Sequence, residues 1–204
     1  AECEVTSITA PTAMDNCGAT ITGTTTDPLT YNTQGTHVIT WSFDDGNGNV
    51  TTETQNVVID DVTAPVADVA TLADVTAECE VASITAPTAT DNCGAIITGT
   101  TTDPLTYNTQ GTNVINWSFD DGNGNVTTET QNVIIDDITA PVQPTLADVT
   151  GECTATATAP TTTDNCDGTI TGTTIDALTY TAQGTSTITW TFTDAVGNVT
   201  TQTQ

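Results

Sequence analysis

Six cysteines and a recurring set of carboxylates carry whatever chemistry this chain can do. The cysteines come two to a repeated segment: Cys3 and Cys17, Cys79 and Cys93, Cys153 and Cys166. Even numbers at a repeated spacing in small domains read as an oxidised, extracellular disulfide framework. The spacing predicts a bridge within each pair, and closing a loop of about 15 residues contributes about 3 kcal/mol by the chain-entropy estimate. A disulfide holds its Cα atoms within about 7 Å, so the intervening segment must double back, around Pro11, Pro87 and Pro160. Zinc thiolate chemistry is disfavoured, because the spacing is far from C-x-x-C and His37 is the only histidine. Asn113 and Ser186 replace His37 in the other copies, which marks it as an exposed strand residue. No nucleophile and base can be paired around it, so the chain is expected not to be an enzyme.

The carboxylates recur in two loops and a linker. Asp15, Asp91 and Asp164 open a DNC motif, and Asp45, Asp121 and Asp194 open a D-x-x-G-N hairpin, with Asp120 just before Asp121. Asp60-Asp61 and Asp136-Asp137 form acidic pairs between copies. Calcium takes about six to eight oxygen ligands, which clustered Asp, Asn and carbonyl groups supply. Asp60, Asp61, Asp91, Asp120, Asp121, Asp136, Asp137, Asp164 and Asp194 are therefore the expected metal-site residues. A tight turn, with Asp and Asn serving backbone donors and Gly taking positive φ, accounts for the hairpin without any ion. It accounts less well for adjacent carboxylates in a chain with no cationic side chain. The hairpin loop of one domain should face the preceding domain, which brings Asp121 toward Asp60 and Asp61.

Positioning these residues falls to a repeat. The segment that opens AECEVTSITAPTAMDNCG at Ala1 returns almost unchanged at Ala77 and in diverged form at Gly151, a domain-sized period of roughly 75 residues. Cutting after the acidic pairs gives domains 1–61, lacking its first strand, a complete 62–137, and 138–204, whose last strand is expected to be cut short. Within the complete copy, turn signals at Pro87, 91–94, Asp103-Pro104, Gly111 and 122–125 leave only short segments, the pattern of a sandwich or barrel. Ile39, Trp41 and Phe43 alternate on one strand face, as do Ile115, Trp117 and Phe119, so these faces are the expected core. N-V-T at Asn49, Asn125 and Asn198 and N-W-S at Asn116 satisfy the glycosylation pattern, though such short matches arise readily in a Thr-rich chain.

Charge narrows the function. There are 26 acidic residues and no Lys or Arg in 204, a formal net charge of −26. Without cations to neutralise phosphate, nucleic-acid binding is excluded, and so is polybasic membrane anchoring. No apolar run reaches the roughly 18 residues of a membrane helix, so no direct membrane insertion is expected. Hydrophobic residues at 36% in ordered alternation argue against disorder. Trypsin-like proteases have no site to cut.

In order, TAP, Cys, APTATDNCG, G-T-x-V-I-x-W-x-F, D-x-x-G-N and a closing VIIDD resemble the hyalin-repeat (HYR) group of immunoglobulin-like domains, across all three copies. Trp stands where that family usually has Tyr, and the usual Cys after D-x-x-G-N is missing. The resemblance implies an all-β fold of tandem immunoglobulin-like β-sandwich domains in an extended array, of a kind frequent in large surface proteins of marine and gliding bacteria. It implies a secreted or cell-surface location and a stalk or filament segment of an adhesin, stiffened by disulfides and calcium. Its partners would be neighbouring repeats and other copies in a filament. Two other readings are an accessory carbohydrate-binding or spacer region of a secreted hydrolase, and an ice- or mineral-binding face on the Thr-rich strands.

Overall fold

Alternating Thr, Val and Ile favour a pleated, half-buried backbone, and the computed structural model, which describes residues 1–204, contains strands and turns but no helix. The first repeat supplies β1 (Thr12–Met14), β2 (Thr20–Thr22), β3 (Gly35–Asp44) and β4 (Val50–Ile59). The second supplies β5 (Val66–Ala67), β6 (Val75–Ala77), β7 (Thr88–Thr90), β8 (Ile96–Thr98), β9 (Gly111–Asp120) and β10 (Val126–Ile135). The third supplies β11 (Ala155–Thr156), β12 (Thr161–Asp164), β13 (Gly168–Thr171), β14 (Thr179–Tyr180), β15 (Thr189–Thr193) and β16 (Val199–Thr203). The class is all-β with several small sheets, consistent with the immunoglobulin-like sandwich expected.

Two compact units divide the chain. One holds residues 1–72, 85–102 and 116–130, and the other holds 73–84, 103–115 and 131–204. They do not coincide with the three sequence repeats, because the middle repeat contributes to both and β9 and β10 each run from one unit into the other.

In the first unit, β3 and β4 form a ten-residue antiparallel hairpin in which Trp41 lies opposite Glu53. Period-two alternation buries Ile39, Trp41 and Phe43 beneath it and leaves the intervening residues outward. The short hairpin β1–β2 is tied to this layer by the Thr24–Ser42 bridge. The indole N–H of Trp41 donates to Gln55 Oε1 at 2.9 Å, which satisfies the polar end of a buried ring. A separate sheet orders β5, β7 and β8 antiparallel.

The second unit repeats the plan. β15 and β16 pair antiparallel, Ile188, Trp190 and Phe192 are buried, and Trp190 Nε1 donates to Gln204 Oε1 at 3.0 Å. β6 lies parallel to the end of β10, with Val75 opposite Val133. The burial expected for the tryptophans is found: Trp41, Trp117 and Trp190 are at most 2% exposed. Each repeat also keeps a glycine against its core Phe. A Cβ on Gly99 would sit 3.0 Å from the Phe119 ring and 3.2 Å from the Pro87 carbonyl, and Gly23 and Gly172 meet Phe43 and Phe192 likewise.

Candidate functional site: two cystines beside buried carboxylates

The within-repeat bridges expected from the spacing are not formed. Cys3 is bonded to Cys93 and Cys79 to Cys166, so each bridge joins the opening segment of one repeat to the DNC turn of the next. Cys17 and Cys153 are free and exposed. The reason is local. Asp15 to Ala19 closes as a tight hairpin turn between β1 and β2, with Asp15 N–H bonded to Ala19 O, and leaves Cys17 exposed within it. The opening segment is anchored elsewhere, at the Val5–Tyr31 bridge.

The turns that carry the site follow from their residues. In the DNC turn of the second repeat, Asp91 Oδ2 accepts the Cys93 N–H at 3.0 Å and Gly94 takes φ +84°, which a side chain would disfavour. In the third repeat, Asp164 Oδ1 accepts the N–H groups of Cys166 and Asp167. The D-x-x-G-N hairpin is also an Asp-centred turn. Asp121 Oδ1 accepts from Asn123 N and Asn125 N, and its Oδ2 accepts from Asn125 Nδ2.

Around the first bridge, Asp61 and Asp91 are buried at 4% and 5% exposure. Their carboxylate oxygens and the Cys93 sulfur lie within 4.8 Å of one another. Asn123 Nδ2 donates to Asp61 Oδ2 at 3.2 Å, Asn125 Nδ2 donates to the Asp61 carbonyl at 3.0 Å, and Gln34 Oε1 accepts the Asp61 N–H. Glu2 accepts from Thr63 Oγ1 at 2.7 Å and from Asn92 Nδ2. Asp91 Oδ1 is buried and accepts no hydrogen bond.

The second bridge has the same frame. Asp137, Asp164 and Asp194 are buried, and Asp137 and Asp164 lie within 4.8 Å of each other and of the Cys166 sulfur. Glu78 accepts from Asn165 Nδ2 at 2.8 Å, and Gln110 Oε1 accepts the Asp137 N–H. Two buried oxygens, Asp164 Oδ2 and Asp194 Oδ2, accept no hydrogen bond. Burial pushes the Asp137 carboxyl above its ordinary range; the Thr139 N–H works against this, and the charges of Asp164, Asp194 and Glu78 add to it. At Asp194 burial also opposes ionisation, but the nearby Asn198 amide and the N–H groups of Asn198, Gly197 and Val196 outweigh it and hold the carboxyl low. The same balance, through Asn125 and Asn123, holds Asp121 low.

Of the residues expected to bind metal, the structure brings together Asp61 with Asp91, and Asp137 with Asp164; Asp194 lies outside that group, though its charge acts on Asp137. The hairpin loop does reach the linker, but through Asn123 and Asn125, while the Asp121 oxygens serve their own turn. Asp60, Asp120 and Asp136 are exposed. Glu2 and Glu78, which flank the bridged cysteines, were missed by sequence reasoning, although E-C-E in two copies is a visible signal. His37 is half-buried and stacks on Tyr31 with ring centroids 4.6 Å apart. The side-chain amides of Asn49, Asn125 and Asn198 are committed to Asp45, to Asp121 and Asp61, and to Asp137, so these sequons are occupied as turn residues.

The cysteine sulfurs of both clusters are oxidised, which leaves hard oxygen donors. The buried oxygens without a donor fit a hard divalent cation such as calcium, which would be held by Asp61 and Asp91 in one cluster and by Asp137 and Asp164 in the other.

Residues 141–204 match the family described as an HYR-like domain with 4 cysteines, although this stretch contains only Cys153 and Cys166. Hyalin of Strongylocentrotus purpuratus is 38% identical over 146 residues, covering 66% of this chain and 12% of that protein. Hyalin of Lytechinus variegatus is 38% identical over 144 residues, covering 65% of this chain and 27% of that protein. The chain therefore spans a small part of the relatives it matches. Both are sea-urchin proteins and give no support to a bacterial source. The human desmocollin-1 ectodomain superposes over 95% of this chain and 48% of its own, at 12% identity and a TM-score of 0.27, which carries no argument.

Proposed function

We propose that this chain is a spacer segment of an extracellular, adhesion-type protein, in which each HYR-like repeat is fastened to the next by a cystine and by calcium. The observation that carries this reading is the pair of cross-repeat bridges, each beside buried carboxylate oxygens that lack a donor. A covalent link removes freedom from the connection between repeats, and an ion that binds only the ordered arrangement stabilises it by mass action. Oxidised cysteines and the hyalin relatives support an extracellular setting. The sugar-binding alternative is weakened, because every tryptophan is buried and none offers a stacking face. An extended array of such repeats, acting as a stalk, is the arrangement in which this fastening has most use.

The test is thermal unfolding and solution scattering of the oxidised chain with calcium, with a chelator, and with NaCl at equal ionic strength. Calcium is expected to raise the melting temperature and reduce flexing, and the chelator to reverse both. If NaCl reproduces the whole effect, the carboxylates are only a screened, repulsive surface.

A further inference from the structure

The two cysteines left unbonded are complementary. Cys17 is a DNC-turn cysteine, equivalent to the bonded Cys93 and Cys166, and Cys153 is an opening-segment cysteine, equivalent to the bonded Cys3 and Cys79. Each sits in a backbone setting that matches its bonded counterparts. The turn at Cys17 makes the bonds Asp15 N to Ala19 O at 2.8 Å and Gly18 N to Asp15 O at 2.9 Å, with Gly18 at φ +86°. The turn at Cys93 makes the same two bonds at 2.9 Å, with Gly94 at φ +84°. Beside it, Asp45 Oδ1 accepts from Asn47 N and Asn49 N, as Asp121 Oδ1 does from Asn123 N and Asn125 N.

At the other end, Ala155 pairs with Tyr180 as Val5 pairs with Tyr31 and Val81 with Tyr107. Gln183 Nε2 donates to the Glu152 carbonyl at 2.9 Å, as Gln34 and Gln110 do to the carbonyls of Glu2 and Glu78. Asn92 and Asn165 each donate to the glutamate that precedes the cysteine they face, which leaves Asn16 and Glu152 as the corresponding pair. Both halves of the junction are thus formed before a partner arrives.

The geometry points to a head-to-tail docking surface for another repeat of this kind, sealed by a disulfide between Cys153 of one repeat series and Cys17 of the next. Unlike a two-fold contact, this joint uses two different surfaces, so it propagates. The chemistry is thiol–disulfide exchange with a small disulfide such as glutathione disulfide. The Cys153 thiolate displaces one small thiol to give a mixed disulfide, and the Cys17 thiolate of the second copy displaces the other. Two protein thiols and one small disulfide become one protein disulfide and two small thiols.

Cys17→Ser and Cys153→Ser variants, each keeping its two native bridges, test this in a glutathione redox buffer. Each variant alone is expected to stay monomeric. Their equimolar mixture is expected to give a disulfide-linked dimer, and the unsubstituted chain a ladder of multimers on a non-reducing gel. Glu-specific cleavage identifies the bond: Cys17 lies in 5–53, and Cys153 in 153–204, which must still carry 79–80 through Cys166. Dimers formed as readily by either variant alone would reduce the pair to indiscriminate exposed thiols. A mixture that stays monomeric while Cys3–Cys93 and Cys79–Cys166 re-form would overturn the docking surface.

Discussion

At Asp61 the hairpin loop of the following repeat supplies two side-chain amides, from Asn123 and Asn125. At Asp137 the corresponding loop supplies one, from Asn198, because Val196 stands where Asn123 stands. The two clusters share their cystine, their glutamine clamp and their buried Asp pair, yet the second keeps two buried oxygens without a donor and the first keeps one. A neutral amide can do part of what a cation would do, and the first cluster uses one. The second leaves more buried carboxylate oxygen without a donor, and burial, with the charges of Asp164, Asp194 and Glu78 adding to it, pushes Asp137 up. The additional oxygen is Asp194 Oδ2, whose counterpart Asp121 Oδ2 accepts from Asn125 Nδ2 at 2.7 Å, while Asn123 adds a donor to Asp61 Oδ2 that Val196 cannot supply.

The largest effects should not distinguish the two clusters. The bridges enclose sequence separations of 90 and 87 residues, so the chain-entropy estimate gives each on the order of 4 to 5 kcal/mol. Cys93→Ser and Cys166→Ser are expected to lower the stability of the unit each belongs to by similar amounts in urea unfolding. A loss confined to one of them would break the equivalence of the two frames.

Next in size are the glycines that let the core phenylalanines close. Gly99→Ala and Gly172→Ala each place a methyl group against a Phe ring, at 3.0 Å and 2.8 Å, and overpacking of this kind costs about 1 to 3 kcal/mol. Circular dichroism melts that left both variants unchanged would show the rings free to move, and the packing looser than drawn.

Much of this frame was legible in the sequence. Period-two alternation placed Trp41 and Trp117 in the core, because strand periodicity is set by local geometry. The cysteine pairing was not legible, because proximity along the chain says nothing about which segment a turn faces, and Cys93 bonds Cys3 of the preceding repeat rather than Cys79 of its own. The acidic pairs divided for a similar reason. Alternation at the end of β4 and β10 buries Ile59 and Asp61 and exposes Asp60, and likewise Ile135, Asp137 and Asp136. A strict period-two reading carried two residues past the strand would have separated them. The role of Asn123 and Asn125 was hidden because a turn residue and a capping amide have the same sequence signature.

The loop difference can be exchanged directly. Val196→Asn should give the second cluster the amide that the first has, and Asn123→Val should remove it from the first. A hydrogen bond to a charged group is worth about 1.5 to 3 kcal/mol, so calcium affinity is expected to fall about tenfold or more in the first variant and to rise in the second, by titration calorimetry. Unchanged affinities in both would mean that Asn123 is only a turn residue and that the clusters do not compete with an ion for the same oxygens.

The smallest effect is the dependence on pH, and it has opposite signs around the second bridge. Asp137 in the folded chain titrates above its ordinary 3.8, so its ionisation costs stability above that window, and the cost is relieved as pH falls through it. Asp194 titrates below 3.8, so its contribution is present at neutral pH and is lost as pH falls toward its folded value. Asp137→Asn removes the first term and keeps an oxygen to accept the Thr139 N–H. In chelator, the variant is expected to melt at or above the temperature of the unsubstituted chain at neutral pH, with the gap closing as the pH approaches 4. In calcium the order should reverse, because the amide oxygen lacks the charge that an ion would use. Melting curves from about pH 7 to about pH 3 at constant ionic strength read both arms. If Asp137→Asn were less stable in chelator at every pH, the Asp137 charge would be compensated by the protein itself, and the contrast between the clusters would come down to packing alone.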